Sequence, residues 1–167
     1  MTIFNNKKIK AIIIVFVTLV TLVEVYFAYK ITQDCKGIYQ VQIFVPLVLQ
    51  PLYVSRLLKK ERAYFKLRIL ALLLCSVLLP LVIYSTLPNY TYIEGKEIIH
   101  KFIGQDNSHN FTEVSFAKST VPVIDNTKQV FVSDREYYYE VTSKEGSIYF
   151  MVNPVTGKVM KLEKSYW

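Results

Sequence analysis

Apolar positions along this chain are bunched rather than spread. Three long apolar runs, Ile9–Tyr29, Ile38–Leu58 and Ile69–Leu87, occupy the first half, and none of comparable length follows. At about 1.5 Å per residue, a helical run of about 20 residues matches the ~30 Å hydrocarbon core of a bilayer. The pattern predicts three transmembrane helices within residues 1–87.

After Pro88 the periodicity changes. Behind Tyr90, Tyr92 and Ile93, apolar positions Ile98, Ile99, Phe102 and Ile103 recur at helical spacing ahead of Gly104, a natural helix stop. This predicts a short amphipathic helix. Phe111, Val114 and Phe116 suggest an irregular strand over Phe111–Lys118, whereas Ser119–Lys128, with Pro122 and Asp125-Asn126-Thr127, is expected as loop. Gln129–Ser133 fits either strand or a continuation of that loop. The β-rich runs Glu136–Ser143 and Ser147–Asn153, parted by Lys144-Glu145-Gly146, predict a hairpin. A second turn, Asn153-Pro154-Val155-Thr156-Gly157-Lys158, leads into Val159–Glu163; Pro154 presets φ and Gly157 tolerates φ > 0. The expected fold class is therefore a membrane α-helical region of three helices plus a small α+β domain over residues 88–167. In that domain the helix packs on an antiparallel β-meander.

Charge sharpens this division. The net charge is +7, but residues 1–87 hold eleven Lys/Arg against Glu24, Asp34 and Glu61, while residues 88–167 hold nine against ten. The positive excess lies beside the apolar runs, where it sets topology, and the C-terminal domain lacks the basic face that nucleic-acid binding needs. Lys7, Lys8 and Lys10 precede the first run; Arg56, Lys59, Lys60, Arg62, Lys66 and Arg68 surround Glu61 between the second and third. Both segments are expected in the cytoplasm, which puts the near-neutral first loop and the C-terminal domain outside. The basic loop also suits anionic lipid. The first run lacks a small-residue cleavage pattern and outlasts a signal peptide, so it is expected to stay as an uncleaved anchor. Cys35 and Cys75 are expected at opposite faces of the membrane, too far apart to pair, with an intermolecular bond through Cys35 left open.

Polar residues within the runs are the first candidates for chemistry. Glu24, about a turn and a half from the outer end of its run, suits either a proton or ion site or a side chain reaching headgroups and water. The second run is the least lipid-like, with Gln40, Gln42, Gln50, Pro46 and Pro51. Glutamines there seek partners on neighbouring helices, so Gln42 and Gln50 are candidate partner-binding residues. Catalytic signatures are missing from the sequence. His100 and His109 match no common zinc spacing, Asp134 and Glu136 suit a solvated strand edge, and there is neither a phosphate loop nor a nucleophile elbow. No enzyme activity, metal or cofactor is expected.

Tyrosine is the one enrichment in the domain. Strand alternation puts Tyr137, Tyr139 and Val141 on one face and Tyr138 and Glu140 on the other, with Tyr149 on the paired strand. The inward set is core; an outward set would be an aromatic surface suited to a protein partner, and Tyr137, Tyr138, Tyr139 and Tyr149 are the candidates. Tyr166-Trp167 could extend that surface or anchor at the membrane interface.

The run Tyr138-Tyr139-Glu140-Val141, then Gly146, then Tyr149-Phe150-Met151-Val152-Asn153-Pro154-Val155-Thr156-Gly157-Lys158-Val159 resembles the PepSY domain. The likeness covers roughly residues 92–164, with the helix around Glu97–Ile103 in the family's helix-before-sheet order. The helix is poorer in alanine, and the Ser119–Ser133 stretch longer, than the family's pattern. The resemblance implies a non-catalytic bacterial envelope module, outside the cell membrane, that binds or restrains another protein such as a peptidase, sensor or transporter. The alternative is a small accessory subunit assembled through its spans, with bacteriocin immunity a further form of binding.

Overall fold

The computed structural model describes residues 7–59, 65–104, 110–124, 130–143 and 146–167. Lys60, Glu61 and Arg62 of the basic loop, His109, Asp125-Asn126-Thr127 with Gln129, and Lys144-Glu145 of the hairpin turn lie outside these residues. The chain forms two units. They are Met1–Lys30 with Val41–Ser85, whose described residues are mainly helical, and Ile31–Gln40 with Thr86–Trp167, whose described residues are α+β.

In the helical unit, α1 runs from Lys7 to Asp34 and α4 from Phe65 to Thr86. α1 and the Leu67–Thr86 stretch of α4 are long and apolar enough to cross a membrane. The second apolar run is not one helix. After Tyr39 it forms a 3₁₀ turn at Val41–Phe44, a one-turn helix α2 at Val45–Val48, and α3 at Gln50–Lys59. Two prolines explain the breaks. Each lacks an N–H and clashes with the preceding turn of a continuing helix, yet is tolerated in the first turn of a new one. Pro46 and Pro51 each stand second in a restarted segment. α3 packs into the unit through Val54 and Leu58, which join Val17 of α1 in a core flanked by Ile13, Ile14, Ile69 and Leu72.

The α+β unit is one helix, α5 (Tyr92–Ile103), on an antiparallel sheet. Its strands are β1 (Asn110–Phe111), β2 (Thr120–Pro122), β3 (Arg135–Ser143), β4 (Gly146–Val152) and β5 (Val159–Leu162). β3, β4 and β5 form the expected meander, and β1 and β2 share the outer edge of β3, with Phe111 opposite Val141 and Val121 opposite Glu136. Two expectations need correction. Only Asn110–Phe111 of the region around Phe111–Lys118 is strand, and Phe116–Lys118 is a 3₁₀ turn; Thr120–Pro122, expected as loop, pairs with β3. Such a short edge strand, closed by a proline, leaves no alternation to detect.

A larger departure concerns Ile31–Gln40, expected as first loop as far as Gly37 and as the start of the second apolar run from Ile38. α1 ends in a Schellman motif in which Lys36, at φ 49°, takes the left-handed position and the Gly37 amide donates to the Thr32 carbonyl at 3.0 Å. The chain then pairs with the sheet domain. The Gln40 amide donates to the Phe131 carbonyl, the Ser133 amide and hydroxyl both donate to the Ile38 carbonyl, and the Tyr39 and Thr86 hydroxyls are 2.8 Å apart. Ile38 and Tyr39 are 0% and 1% exposed. This strap is core of the α+β unit although the 45 residues Val41–Ser85 separate it from the rest in sequence.

Burying one isoleucine and one tyrosine is worth about 2–3 kcal/mol each, against a typical domain stability of about 5–15 kcal/mol. A fragment of residues 88–167 alone should therefore give poorly dispersed amide NMR spectra, and linking residues 31–40 to it should restore dispersion. An equally sharp spectrum and melting midpoint without the strap would refute this account.

Candidate functional site

The tyrosines expected as a surface are mostly core. Tyr137, Tyr138 and Tyr139 are all buried, on both faces of the sheet, and Tyr149 alone of the four is part-exposed. On the first face, Tyr92 of α5 stacks on Tyr139 with centroids 4.5 Å apart and meets Tyr137 edge-on at 5.6 Å. Their hydroxyls then cross-link helix and strand. Tyr92 donates to the Tyr138 carbonyl (3.1 Å), Tyr139 to the Tyr92 carbonyl (2.7 Å), and Tyr137 to the Tyr90 carbonyl (3.0 Å). Gly95 makes room for this: a Cβ there would overlap the Tyr139 hydroxyl oxygen. The helix start is fixed by a capping box, with Thr91 as N-cap and Glu94 returning to its backbone, a signal present in the Thr91-x-x-Glu94 spacing and overlooked in the sequence. Those two bonds from Thr91 hold the Glu94 carboxyl below its ordinary value.

The strap closes the same cluster. The Cys35 thiol is in hydrogen-bonding contact with the Tyr137 hydroxyl, and Lys36 Nζ lies 5.3 Å from the Tyr92 ring centroid and 5.6 Å from that of Phe116. Burial pushes the Cys35 thiol from 9.0 to about 11, partly offset by its hydrogen bond with Tyr137. Burial likewise pushes Tyr92 from 10.0 to about 12, and raises Tyr137 and Tyr139. These are inert, neutral groups at physiological pH. A poorly ionised, buried thiol is a weak nucleophile.

The second face is built on Val121, Tyr138 and Met151, edged by Val114, Tyr149 and Leu162. The C-terminal tail crosses it: the Tyr138 and Ser165 hydroxyls are 3.0 Å apart, and Trp167 Nε1 donates to the Lys118 carbonyl at 2.9 Å. Tyr166 and Trp167 stay about half exposed. Between β4 and β5 an open groove of about 490 Å³ is lined by Ser147, Ile148, Tyr149, Lys161, Leu162 and Glu163. Exposed Met160 lies nearby on β5, so this is one mixed apolar and polar surface that the domain offers, beside exposed Ile93, Phe102 and Phe116 elsewhere. At the opposite end, Asn153 Oδ1 accepts from the Val155 and Thr156 amides, and Gly157, at φ 69°, lies against the Tyr90 ring, where a Cβ would stand 2.9 Å from it. The Asn-Pro-Val-Thr-Gly turn therefore serves as a seat for the chain entering α5.

The two glutamines part company. Gln42 is exposed, whereas Gln50 is buried within the helical unit. Gln50 Nε2 donates to Glu24 Oε2 at 3.3 Å, and the Ser76 hydroxyl donates to Gln50 Oε1 at 2.8 Å. Glu24 is only 8% exposed, and its Oε1 has no hydrogen-bond partner among the described residues. Through Gln50, Glu24 is linked to Ser76, which stands midway along Leu67–Thr86. Ser76 was unmarked in the sequence because a serine in a long apolar helix has no periodic signature. Among the described residues, no three His, Cys, Asp or Glu side chains gather as metal ligands would. No known family matches the chain, and neither a curated protein nor a solved structure does.

Two outcomes follow for the tyrosine cluster. Gly95→Ala should destabilise the α+β unit by about 2–4 kcal/mol, from overpacking plus a lost hydrogen bond. Adding Tyr139→Phe removes the colliding atom and should recover part of that loss in chemical-denaturation curves of the full-length protein; simple additivity of the two would contradict the geometry. The pH dependence has a definite sign. The folded values of Cys35 and Tyr92 lie above their unfolded ones, so their stabilisation is whole below about pH 9 and is lost as pH climbs toward 11 and 12. Each group contributes a slope of about 1.4 kcal/mol per pH unit inside its window. Melts from pH 8 to 11 should show an onset near 9 in the native chain and later in Cys35→Ala.

Proposed function

We propose that this chain is a non-catalytic bacterial envelope protein, held in the cell membrane by three spans with its N-terminus in the cytoplasm. Its extracytoplasmic PepSY-like α+β domain binds or regulates another protein, such as a peptidase, a sensor or a transporter. The single observation that carries the topology is the strap. Ile31–Gln40 and Thr86–Trp167 belong to one unit, so the chain between them must leave one side of the membrane and return to it. α4 accounts for one crossing. On this reading Val41–Lys59 makes the other, its 3₁₀ turn, α2 and α3 having a summed contour of about 30 Å, close to the thickness of the hydrocarbon core. The lysine and arginine distribution supports the same orientation.

Binding rather than catalysis is supported by what the domain buries and what it leaves open. Its buried titratable groups are neutral tyrosines and a thiol tied into packing, while the groove beside Tyr149, Lys161 and Leu162 remains open to a partner. Helix-before-sheet order and the Asn153–Gly157 turn support the PepSY-like reading. A second reading, an accessory subunit assembled through its spans, draws support from the buried Glu24–Gln50–Ser76 chain of bonds.

In-cell photo-crosslinking of the full-length protein separates the two. A photoreactive residue at Tyr149 or Met160 should capture one envelope protein, while one at exposed Val23 of α1 should capture lipid only. Capture from Val23 with none from Tyr149 or Met160 would give the function to the spans.

A further inference from the structure

An apolar groove of about 370 Å³ runs along the helical unit, walled by Ile13, Phe16 and Val17 of α1, Val54 of α3, and Ile69 and Leu72 of α4. Its deeper end meets Gln50 and Ser76, whose polar atoms are taken up by bonds to Glu24, to each other and to the Leu72 carbonyl. The exposed lining is therefore almost wholly hydrocarbon. From Ile69 to Ser76 the groove is about 10 Å long, less than the ~15 Å thickness of one leaflet. Its other end adjoins basic residues. Lys10 stands one turn before Ile13 and two before Val17, and Arg68 one turn before Leu72, so both flank the groove just past its mouth. A helical side chain leans toward its own N-terminus, which carries both cations outward from the apolar wall, and their long stems let the charged ends reach the interface. Among the described residues of this unit the one carboxylate is Glu24, about 21 Å along α1 from Lys10. An apolar channel one leaflet deep thus opens at a positive rim.

We propose that the groove and its basic rim form a binding site for an anionic phospholipid of the bilayer. One acyl chain lies against the apolar wall, and Lys10 and Arg68 hold the phosphate-bearing headgroup. This rests on the membrane reading above and names the lipid class that the spans select. Length favours a lipid over a protein helix, because a spanning helix needs an apolar path of about 30 Å and this groove runs inward from one face only. Charge favours an anionic over a zwitterionic headgroup, because an ammonium beside the phosphate cancels the attraction that two basic side chains supply. Other basic groups at this end serve orientation instead. By helical angle Lys7 and Arg56 stand on the sides of α1 and α3 away from the groove wall, so they set topology without touching the lipid.

The test uses full-length protein in phosphatidylcholine vesicles, with Phe16→Trp as a reporter in the groove and Trp167→Phe making that reporter the chain's only tryptophan. A second reporter, Leu70→Trp in the same background, occupies an exposed position on α4 outside the groove. The probes are phosphatidylglycerol and phosphatidylcholine with identical dibrominated acyl chains, which quench tryptophan on contact. The groove reporter should be quenched with about fivefold higher apparent affinity by the brominated phosphatidylglycerol, the scale of one basic side chain at an anionic headgroup. The Leu70 reporter should be quenched equally by both. Lys10→Gln with Arg68→Gln should abolish the preference, whereas Lys7→Gln with Arg56→Gln removes the same charge and should keep it. Equal quenching of the groove reporter by the two lipids overturns the proposal. So does an equal preference at both reporters, which is diffuse attraction to the basic end, or a preference indifferent to which pair of charges is removed. Flotation of the same vesicles separates the two levels of inference. A chain that fails to float sinks the membrane reading and the lipid site with it, whereas a floating chain without groove preference sinks the lipid site alone.

Discussion

Everything in the α+β unit is arranged around the closeness of α5 to β3. Three tyrosine hydroxyls reach across that interface to the backbone carbonyls of Tyr90, Tyr92 and Tyr138, and each hydroxyl is buried or half-buried with its ring. A buried phenol without an acceptor would be destabilising by about 1–3 kcal/mol, so the helix must stay where its first-turn carbonyls can be met. That requirement accounts for Gly95, whose missing side chain lets the Tyr139 hydroxyl approach. It also accounts for the capping box, which fixes the first turn, and for the seat that the Asn153–Gly157 turn gives to Tyr90. Stacked aromatic rings supply area, while the hydroxyls supply register. Leucines in their place would bury as much and specify less.

The helical unit solves the same accounting problem with fewer groups. Pro46 and Pro51 stand where new helical segments start, so few backbone donors are lost in the second apolar run, and Thr18, Thr21 and Ser76 each return a hydroxyl to the carbonyl four residues back. Ser76 shares that proton with Gln50. Among the buried side-chain atoms of the described residues, what remains unbalanced is Glu24 Oε1. Unequal satisfaction is informative here because the surroundings are apolar. In water the same oxygen would be of no account.

Legibility in the sequence followed the range of the interaction. The two long apolar helices were visible from composition, and the β3–β4–β5 meander from alternation and two turn signals, because each depends on residues near in sequence. Face assignment by alternation placed Tyr137 with Tyr139 and Tyr138 opposite, as the paired register has it. The burial of both faces was invisible, since Val114, Ser165 and Trp167 come to the second face from distant segments without periodicity. β2 was missed because three residues ending in proline carry no pattern. The strap was missed for a stronger reason: Tyr39 meets Val132 and Thr86 across long stretches of chain, and nothing local marks a loop for capture. Glu24 was marked by its charge alone. Its setting depended on Gln50 and Ser76, which only the packing of three helices brings level.

The strap also changes what kind of object the C-terminal domain is. A domain encoded in one continuous segment can be moved, trimmed or fused freely. Here Ile38 and Tyr39 are core residues supplied from the head of the second apolar run, so the domain closes only when the strap and Thr86–Trp167 come together. Under the proposed topology, a chain that inserted Val41–Lys59 the wrong way would strand Ile38 and Tyr39 from Val132 and Thr86. It would also leave the Cys35 thiol and the Tyr137 hydroxyl without each other. Membrane insertion and domain folding are then a single constraint on this chain. The positive charges bias the first, and the strap's burial holds the outcome in place.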